Sequence, residues 1–177
     1  MDLNNIKVFD SFLDNDEYCN IKDKILNFTW QYGHTSNGCK LRDELPFWTC
    51  ILDSDDYFSG YLFNLIKKTL NEPSLELERV YCNGLTYGQT GVYHIDSDSE
   101  NARTFMIYVN NIAEEDYDIA DGYLYFKNKG WDYNIVYEPI KNRGIYFPGN
   151  YLHKAVSFSR FIKDMRVSIV WKMHLNK

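Results

Sequence analysis

The sequence predicts a mainly β fold, a closed or double-sheet antiparallel architecture with supporting helices outside the larger sheet. Three observations carry this. From Leu75 onward helical periodicity disappears, and short apolar segments recur between turn signals. Helical spacing of apolar residues is confined to two stretches before Pro73. Aromatic residues make up 17% of the chain, with 15 Tyr and 11 Phe, and a pleated, half-buried surface accommodates such rings well. At 177 residues and 45% apolar content, residues 1–177 suffice for one domain, with 1–74 as helical and loop support and 75–177 as the β core.

Taken in order, Val8 to Leu13 reads as a short entry strand. Asp14 then caps a helix with Glu17 as its capping-box partner, Leu13 and Tyr18 form a hydrophobic staple, and Tyr18, Ile21, Ile25 and Phe28 define the buried face. Gly33 ends that segment. Thr29 to Thr49, with Gly33, Gly38 and Pro46, reads as a loop-rich insert of the kind that covers a site, and His34 within it as a solvated loop histidine. A second helix starts at Asp53 or Ser54, shows Tyr57, Phe58, Tyr61, Leu62, Leu65 and Ile66 on one face, and breaks before Pro73. Eight strands follow: 75–83, 91–95, 103–109, 123–127, 135–140, 144–147, 154–158 and 166–174. Asn83-Gly84, Asp121-Gly122, Lys129-Gly130, Asn142-Arg143-Gly144 and Pro148-Gly149-Asn150 mark turns between them. A jelly roll closes eight such strands.

The chemistry-bearing stretch is Tyr93-His94-Ile95-Asp96. On an extended segment His94 and Asp96 point the same way, because strand side chains repeat with period two. With His153 they make a two-His-one-carboxylate face, which suits ferrous iron. In a chain with 25 acidic residues a His-x-Asp pair alone is weak, and an ordinary strand-end histidine bonded to a carboxylate is the competing reading. Arg166, thirteen residues after His153, heads another i, i+2 pair with Ser168. Alternation turns Arg166, Ser168 and Val170 inward and Val167, Ile169 and Trp171 outward, and an inward guanidinium is costly unless an anion meets it. Asp98 and Glu100 lack the His-x-Asp register and read as loop charges, and the run from Glu114 to Asp121 as a solvated acidic turn.

Around these residues the sequence resembles the iron(II)- and 2-oxoglutarate-dependent oxygenases, most closely the prolyl-hydroxylase-like branch. The resemblance rests on Gly88-Gln89 before His94, the arginine-led strand Arg103 to Asn110 ending Tyr-Val-Asn, Gly122 to Phe126, and the order Phe147, His153, Val156, Arg166, Trp171. It covers about Val80 to Trp171, and the amino-terminal third only in outline. It implies a double-stranded β-helix (cupin-like jelly roll) with iron(II) on His94, Asp96 and His153. It further implies 2-oxoglutarate held by Arg166, Ser168 and Tyr108, dioxygen as co-reactant, and ascorbate as an accessory reductant. The implied activity is hydroxylation of a C–H bond, with a peptidyl proline or other protein residue as first substrate. A free amino acid or small metabolite is the alternative, and a non-catalytic cupin-like metal-binding module the reading from another class. One departure stands out: Tyr123 replaces the second glycine of a Gly-Gly pair, and its ring is expected to shape the entrance. For a peptide, Trp30, Tyr32, Phe47 and Trp48 would form a groove for polyproline-type segments, and the acidic run would favour a basic flank.

Composition narrows the remaining classes. A net charge of −6 disfavours a nucleic-acid partner, which rewards basic patches. No apolar run approaches a membrane span, and Met1 to Asn5 lacks a basic, apolar leader. Cys19, Cys39, Cys50 and Cys82 have no metal-site spacing and read as free thiols, placing the chain in the cytoplasm.

Overall fold

The computed structural model describes residues 1–36, 46–128 and 130–176. Gly38, Cys39 and Lys129, parts of the expected insert, thiol set and turn, lie outside the described residues. Two antiparallel sheets form the body. The larger runs in the order β1 (Lys7–Phe9), β8 (Gly144–Pro148), β5 (Ala102–Tyr108), β10 (Arg166–Leu175), β4 (Leu75–Leu85), β3 (Phe47–Ile51), β2 (Gln31–His34). The smaller runs β7 (Ile135–Tyr137), β6 (Leu124–Phe126), β9 (His153–Ala155). This is the expected double-sheet plan, with corrections at its margins.

The entry strand is only three residues long, since Phe12 and Leu13 instead tie their amides to Asn142. Gly91 to Ile95 forms no strand, and its backbone is tied in through the isolated bridges Thr90–Val156 and His94–His153. Part of the expected insert is sheet: β2 and β3 pair and extend the larger sheet beyond β4. Asn83-Gly84 is not a turn but lies within β4, near its C-terminal end. A Cβ on Gly84 would sit 2.5 Å from Met165 Sδ and 2.9 Å from the Trp30 ring, so glycine is there for close approach.

The helices α1 (Asn15–Asn27), α2 (Phe63–Leu70) and α3 (Tyr117–Ala120) lie outside the strands. Asp14 caps α1 as expected, its carboxylate accepting from Glu17 N at 2.9 Å. Glu17 does not return the bond, because its carboxylate accepts from the Tyr57 and Tyr61 hydroxyls. The helix ends at Asn27, and Gly33 lies within β2 at φ 124°. The second helical stretch begins later than expected, with a π-helical segment Tyr57–Leu62 leading into α2. Asp53 caps nothing there and accepts instead from Val80 N at 2.5 Å, while Asp55 accepts from Tyr57 N.

Alternation along β10 divides the interior in two. Ile169, Trp171 and Met173 join Phe105, Ile107, Val80 and Cys82 against Ile21, Ile25, Phe58, Leu62 and Ile66 of the helical layer. Trp171 Nε1 also donates to Phe58 O at 2.9 Å, and burying each such ring contributes about 1.5–3 kcal/mol. On the opposite face Val170, Met106, Tyr81 and Phe147 pack against Leu124 and Phe126 of the smaller sheet. Arg166, Ser168 and Lys172 share that inner face. Cys19, Cys50 and Cys82 are free thiols, and no helix among the described residues is long and apolar enough to cross a membrane.

Candidate metal centre and cosubstrate pocket

His94 and His153 face one another across an isolated bridge, His94 N donating to His153 O at 3.0 Å and His153 N to His94 O at 2.9 Å. Residues directly opposite in such a pair present side chains on one face, and the two rings lie 4.4 Å apart. Asp96, two residues on, is anchored by its amide to Gly149 O at 2.8 Å. Its Oδ1 is 3.6 Å from His94 Nε2 and 3.5 Å from His153 Nε2. Ligand bonds of about 2 Å bring donor atoms within about 4 Å of each other, and both separations meet that. Each Nδ1 faces a backbone carbonyl, Val92 O at 2.9 Å and Tyr151 O at 2.8 Å. A carbonyl only accepts, so each Nδ1 carries the proton and each Nε2 presents a lone pair to the centre.

Electrostatics prepares the same state. Burial opposes ionisation of Asp96, but neighbouring His153, Lys172 and Thr104 outweigh it and hold the carboxyl well below its usual range. Burial lowers His153 to about 4, with Asp96 opposing and His94 and Lys172 assisting. At neutral pH His153 is therefore uncharged, and Lys172 is the cation that keeps Asp96 ionised. Between pH 6.5 and about 4 an unfolded chain takes up a proton that folded His153 refuses. Stability of the metal-free protein is fully present above pH 6.5 and is lost as pH falls toward 4, by on the order of 3 kcal/mol. Asp96 extends the loss at lower pH, because its folded carboxyl is the harder to protonate. Urea denaturation of chelator-treated protein across that window checks this; a flat profile would contradict a buried, neutral His153.

Lys172 is the residue the sequence reading passed over. It is 7% exposed, its Nζ is paired with Asp96 Oδ2, and Thr104 Oγ1 donates to the same oxygen at 2.5 Å. With Oδ2 occupied, Oδ1 alone faces the imidazoles. The signal was available, since the alternation that turns Arg166, Ser168 and Val170 inward reaches Lys172 one step later. Removing one partner of a buried pair strands the other, so Lys172→Met is expected to destabilise the metal-free protein by about 3 kcal/mol or more. Added manganese(II) should narrow that deficit, because the ion becomes the counter-charge of Asp96. Equal denaturation midpoints for the two metal-free proteins would refute the pairing.

One cavity of about 160 Å³ joins this triad to Arg166 and Ser168. Arg166 is 1% exposed; Nε donates to Gly122 O and Nη1 to Ser168 Oγ, each at 3.0 Å, while Nη2 has no hydrogen-bond partner among the described residues. Gly122 sets its carbonyl there at φ +79°, and a Cβ on it would strike the Phe158 ring at 2.5 Å. The guanidinium lies 4.8 Å from the centre of the Tyr108 ring; the Tyr108 hydroxyl is likewise buried and makes no hydrogen bond of regular geometry among the described residues, although Arg166 is near enough to act on it. Burial raises the phenol pKa against the opposing pull of Arg166, so it remains a donor at neutral pH. Tyr108 is not on the cavity wall, whereas Asn83, whose buried Oδ1 is also unpartnered, is. No carboxylate among the described residues meets Arg166. A buried guanidinium whose Nη2 lacks a hydrogen-bond partner among the described residues, beside a phenol, has the chemistry to receive an external anion.

Solved structures share this fold. A prolyl hydroxylase from Trichoplax adhaerens, in complex with a hypoxia inducible factor oxygen degradation domain peptide fragment, matches with a TM-score of 0.73 and 16% identity over 97% of this chain and 85% of that one. A 2OG-Fe(II) oxygenase family oxidoreductase from Burkholderia pseudomallei matches with a TM-score of 0.74 and 10% identity over 96% and 85%. The chain has the 2-oxoglutarate/iron(II) oxygenase fold. A Pseudomonas putida prolyl-4-hydroxylase matches with a TM-score of 0.64 and 16% identity over 97% and 93%. No sequence-family model matches the chain, and no curated protein matches it by sequence.

Within this oxygenase fold the remaining sequence expectations separate. His34 is not a solvated loop residue; it ends β2, its ring 5.1 Å from Phe47 and 6.2 Å from Tyr81, and it lines the cavity. The four aromatics expected to form one groove do not. Phe47 lines the cavity, Trp30 packs with the helical core, and Tyr32 meets Trp48 at 5.1 Å as its cross-strand partner. Asp98 and Glu100 are exposed loop charges as expected. The acidic run forms a short 3-10 turn and α3, and none of it lines the cavity. Tyr123 does not narrow the cavity, as it pairs with Tyr125 on the face of the smaller sheet opposite Leu124.

Proposed function

We propose that this chain is an iron(II)- and 2-oxoglutarate-dependent dioxygenase that hydroxylates a C–H bond. The carrying observation is one cavity that holds both a two-His-one-carboxylate face and a buried, anion-seeking Arg166. Iron(II), 2-oxoglutarate and dioxygen together supply an oxidative decarboxylation that yields succinate, carbon dioxide and a hydroxylated product, with ascorbate keeping the metal reduced. His94, Asp96 and His153 would hold the ion through two Nε2 atoms and Asp96 Oδ1. Arg166 and Ser168, with Tyr108 behind them, would fix the far carboxylate of 2-oxoglutarate. The chain contributes ligand geometry, orientation and exclusion of water rather than an acid or base. A peptidyl residue, with proline first, is the substrate class we favour, because the structural neighbours include prolyl hydroxylases, one of them in complex with a peptide. The free thiols Cys19, Cys50 and Cys82 support a reducing, cytoplasmic location, which imaging of the tagged protein would check.

The deciding measurement is iron-dependent succinate release from 2-oxoglutarate, followed by a search for a one-oxygen mass gain in proline-containing peptides and free amino acids. No iron-dependent loss of 2-oxoglutarate would leave a non-catalytic cupin-like module as the reading. Hydroxylated free amino acid without modified peptide would move the substrate class and leave the reaction standing.

A further inference from the structure

We propose that the cavity takes a substrate carrying a carboxylate and that Arg79 receives it, an assignment that rests on the oxygenase reading above. The first observation is a charge count. In a chain of net charge −6, the described residues lining this cavity include three permanent cations, Arg79, Arg166 and Lys172, and a single acid, Asp96. Lys172 is engaged by Asp96, and Arg166 is buried at the end that suits the cosubstrate. Arg79 makes no ion pair among the described residues; its guanidinium instead rests over the Tyr81 ring, 5.0 Å from the centroid. A ferrous ion adds two positive charges and 2-oxoglutarate removes two, so the loaded cavity keeps its positive excess. A walled cleft of one sign concentrates ligands of the other.

The second observation is position. Across the larger sheet Arg79 is the Cα partner of Lys172, which is in turn the partner of Thr104. Lys172 and Thr104 are the two side chains that grip Asp96. Arg79 therefore continues, by one strand, the row that supports the metal ligand, six residues of β10 away from Arg166. It is also solvent-exposed where it borders the cavity, so it stands at the mouth rather than at the closed end. Tyr81 beneath it lies 6.2 Å from His34, which meets Phe47 at 5.1 Å. These three rings give the apolar body of a substrate a wall, and the planar guanidinium fork fits a carboxylate in two-pronged fashion. The acidic run from Glu114 to Asp121 is absent from the lining, so among the described residues the one acid there is Asp96, already engaged by Lys172.

The test uses matched acid and amide forms of the same compounds: free amino acids, N-acetyl amino acids, short peptides with free or amidated C-termini, and end-blocked peptides with Glu or Gln beside proline. With the iron-loaded enzyme, succinate release and one-oxygen mass gain are measured. With the manganese-loaded enzyme and saturating 2-oxoglutarate under nitrogen, binding of each compound is followed by saturation-transfer NMR. The acid forms are expected to bind and to be turned over and the amides not, and the arm that responds identifies whether the carboxylate is an α-carboxylate, a chain terminus or a side chain. Arg79→Gln should raise KM for the responding acid about tenfold or more, with a smaller effect on kcat, and Arg79→Lys should restore part of it. Added salt should raise KM in the parent enzyme and much less in Arg79→Gln. Amides accepted as well as acids, an unchanged KM in Arg79→Gln, or no binding of any acid at millimolar concentration would overturn the assignment. Turnover of amides overturns the carboxylate alone. Absence of iron-dependent succinate in every arm removes the oxygenase reading instead, and the binding arm still decides on Arg79.

Discussion

His153→Ala is expected to abolish turnover and to weaken binding of iron(II) or manganese(II) by more than about a hundredfold, beyond the 10–100-fold typical of losing a group behind a ligand. Three donors are few for a divalent ion, and this one is the least replaceable of them. The residue is 6% exposed, its Nδ1 is fixed on Tyr151 O, and its Nε2 stands 3.5 Å from Asp96 Oδ1. No other His, Cys, Asp or Glu among the described residues joins the group, so a substitute ligand is not at hand. The fold should survive, since His153 keeps its backbone bonds to His94, and what is lost is the Nδ1 bond to Tyr151 O and the ring contacts with His94, Phe126 and Phe147. Calorimetric titration with manganese(II), alongside circular dichroism, reads both effects. Asp98→Ala and Glu100→Ala serve as nearby controls and should bind metal normally. Metal affinity in His153→Ala equal to that of the parent would eliminate the site.

Why the site was legible and parts of the fold were not comes down to the range of the forces involved. His94 and Asp96 fall on one face by strand geometry alone, and Arg166, Ser168 and Val170 do so by the same rule. Those are local consequences of the backbone, and they survive even though 91–95 forms no regular strand. That His153 lies opposite His94 is a long-range fact, and only the ordered motifs of a familiar family pointed to it. Asp14 was recognisable because an N-cap acts within one turn. Glu17 was misassigned because the competing donors, Tyr57 and Tyr61, arrive from forty residues away or more.

Glycine gave the least reliable reading, for a physical reason. A turn and a crowded strand both demand the absence of a side chain, so Asn83-Gly84 looked like a turn although Met165 and Trp30 press on Gly84 within β4. β2 and β3 were hidden for a different reason. Their pairing depends on the exposed edge of β4, and the segment between them shows no alternation to announce it. Lys172 was missed because a lysine in a strand is ordinarily a solvated one. Its burial makes sense only once Asp96 and Thr104 are brought to it across β5.

Arg166→Met is expected to raise KM for 2-oxoglutarate by roughly ten- to a hundredfold, the range for losing a charged hydrogen bond worth about 1.5–3 kcal/mol. Arg166→Lys should fall between, because an ammonium keeps the charge but not the planar fork that Ser168 and Gly122 now orient. Stability supplies a second and independent reading. In the ligand-free protein Arg166 is buried with its Nη2 lacking a hydrogen-bond partner among the described residues and no carboxylate among them meeting it, so the native fold bears the cost of that charge without an anion to relieve it. Replacing such a residue with an apolar side chain of similar length often costs little or even stabilises. Arg166→Met should therefore be about as heat-stable as the parent without ligand. Added 2-oxoglutarate, with manganese(II) in place of iron, should raise the parent's melting temperature and leave that of the variant nearly unmoved, since only binding to the native state stabilises it. A purely structural arginine predicts the reverse, a large loss of stability in Arg166→Met and the same ligand response in both proteins. An unchanged KM for 2-oxoglutarate in the variant would assign the anion to another residue of the cavity.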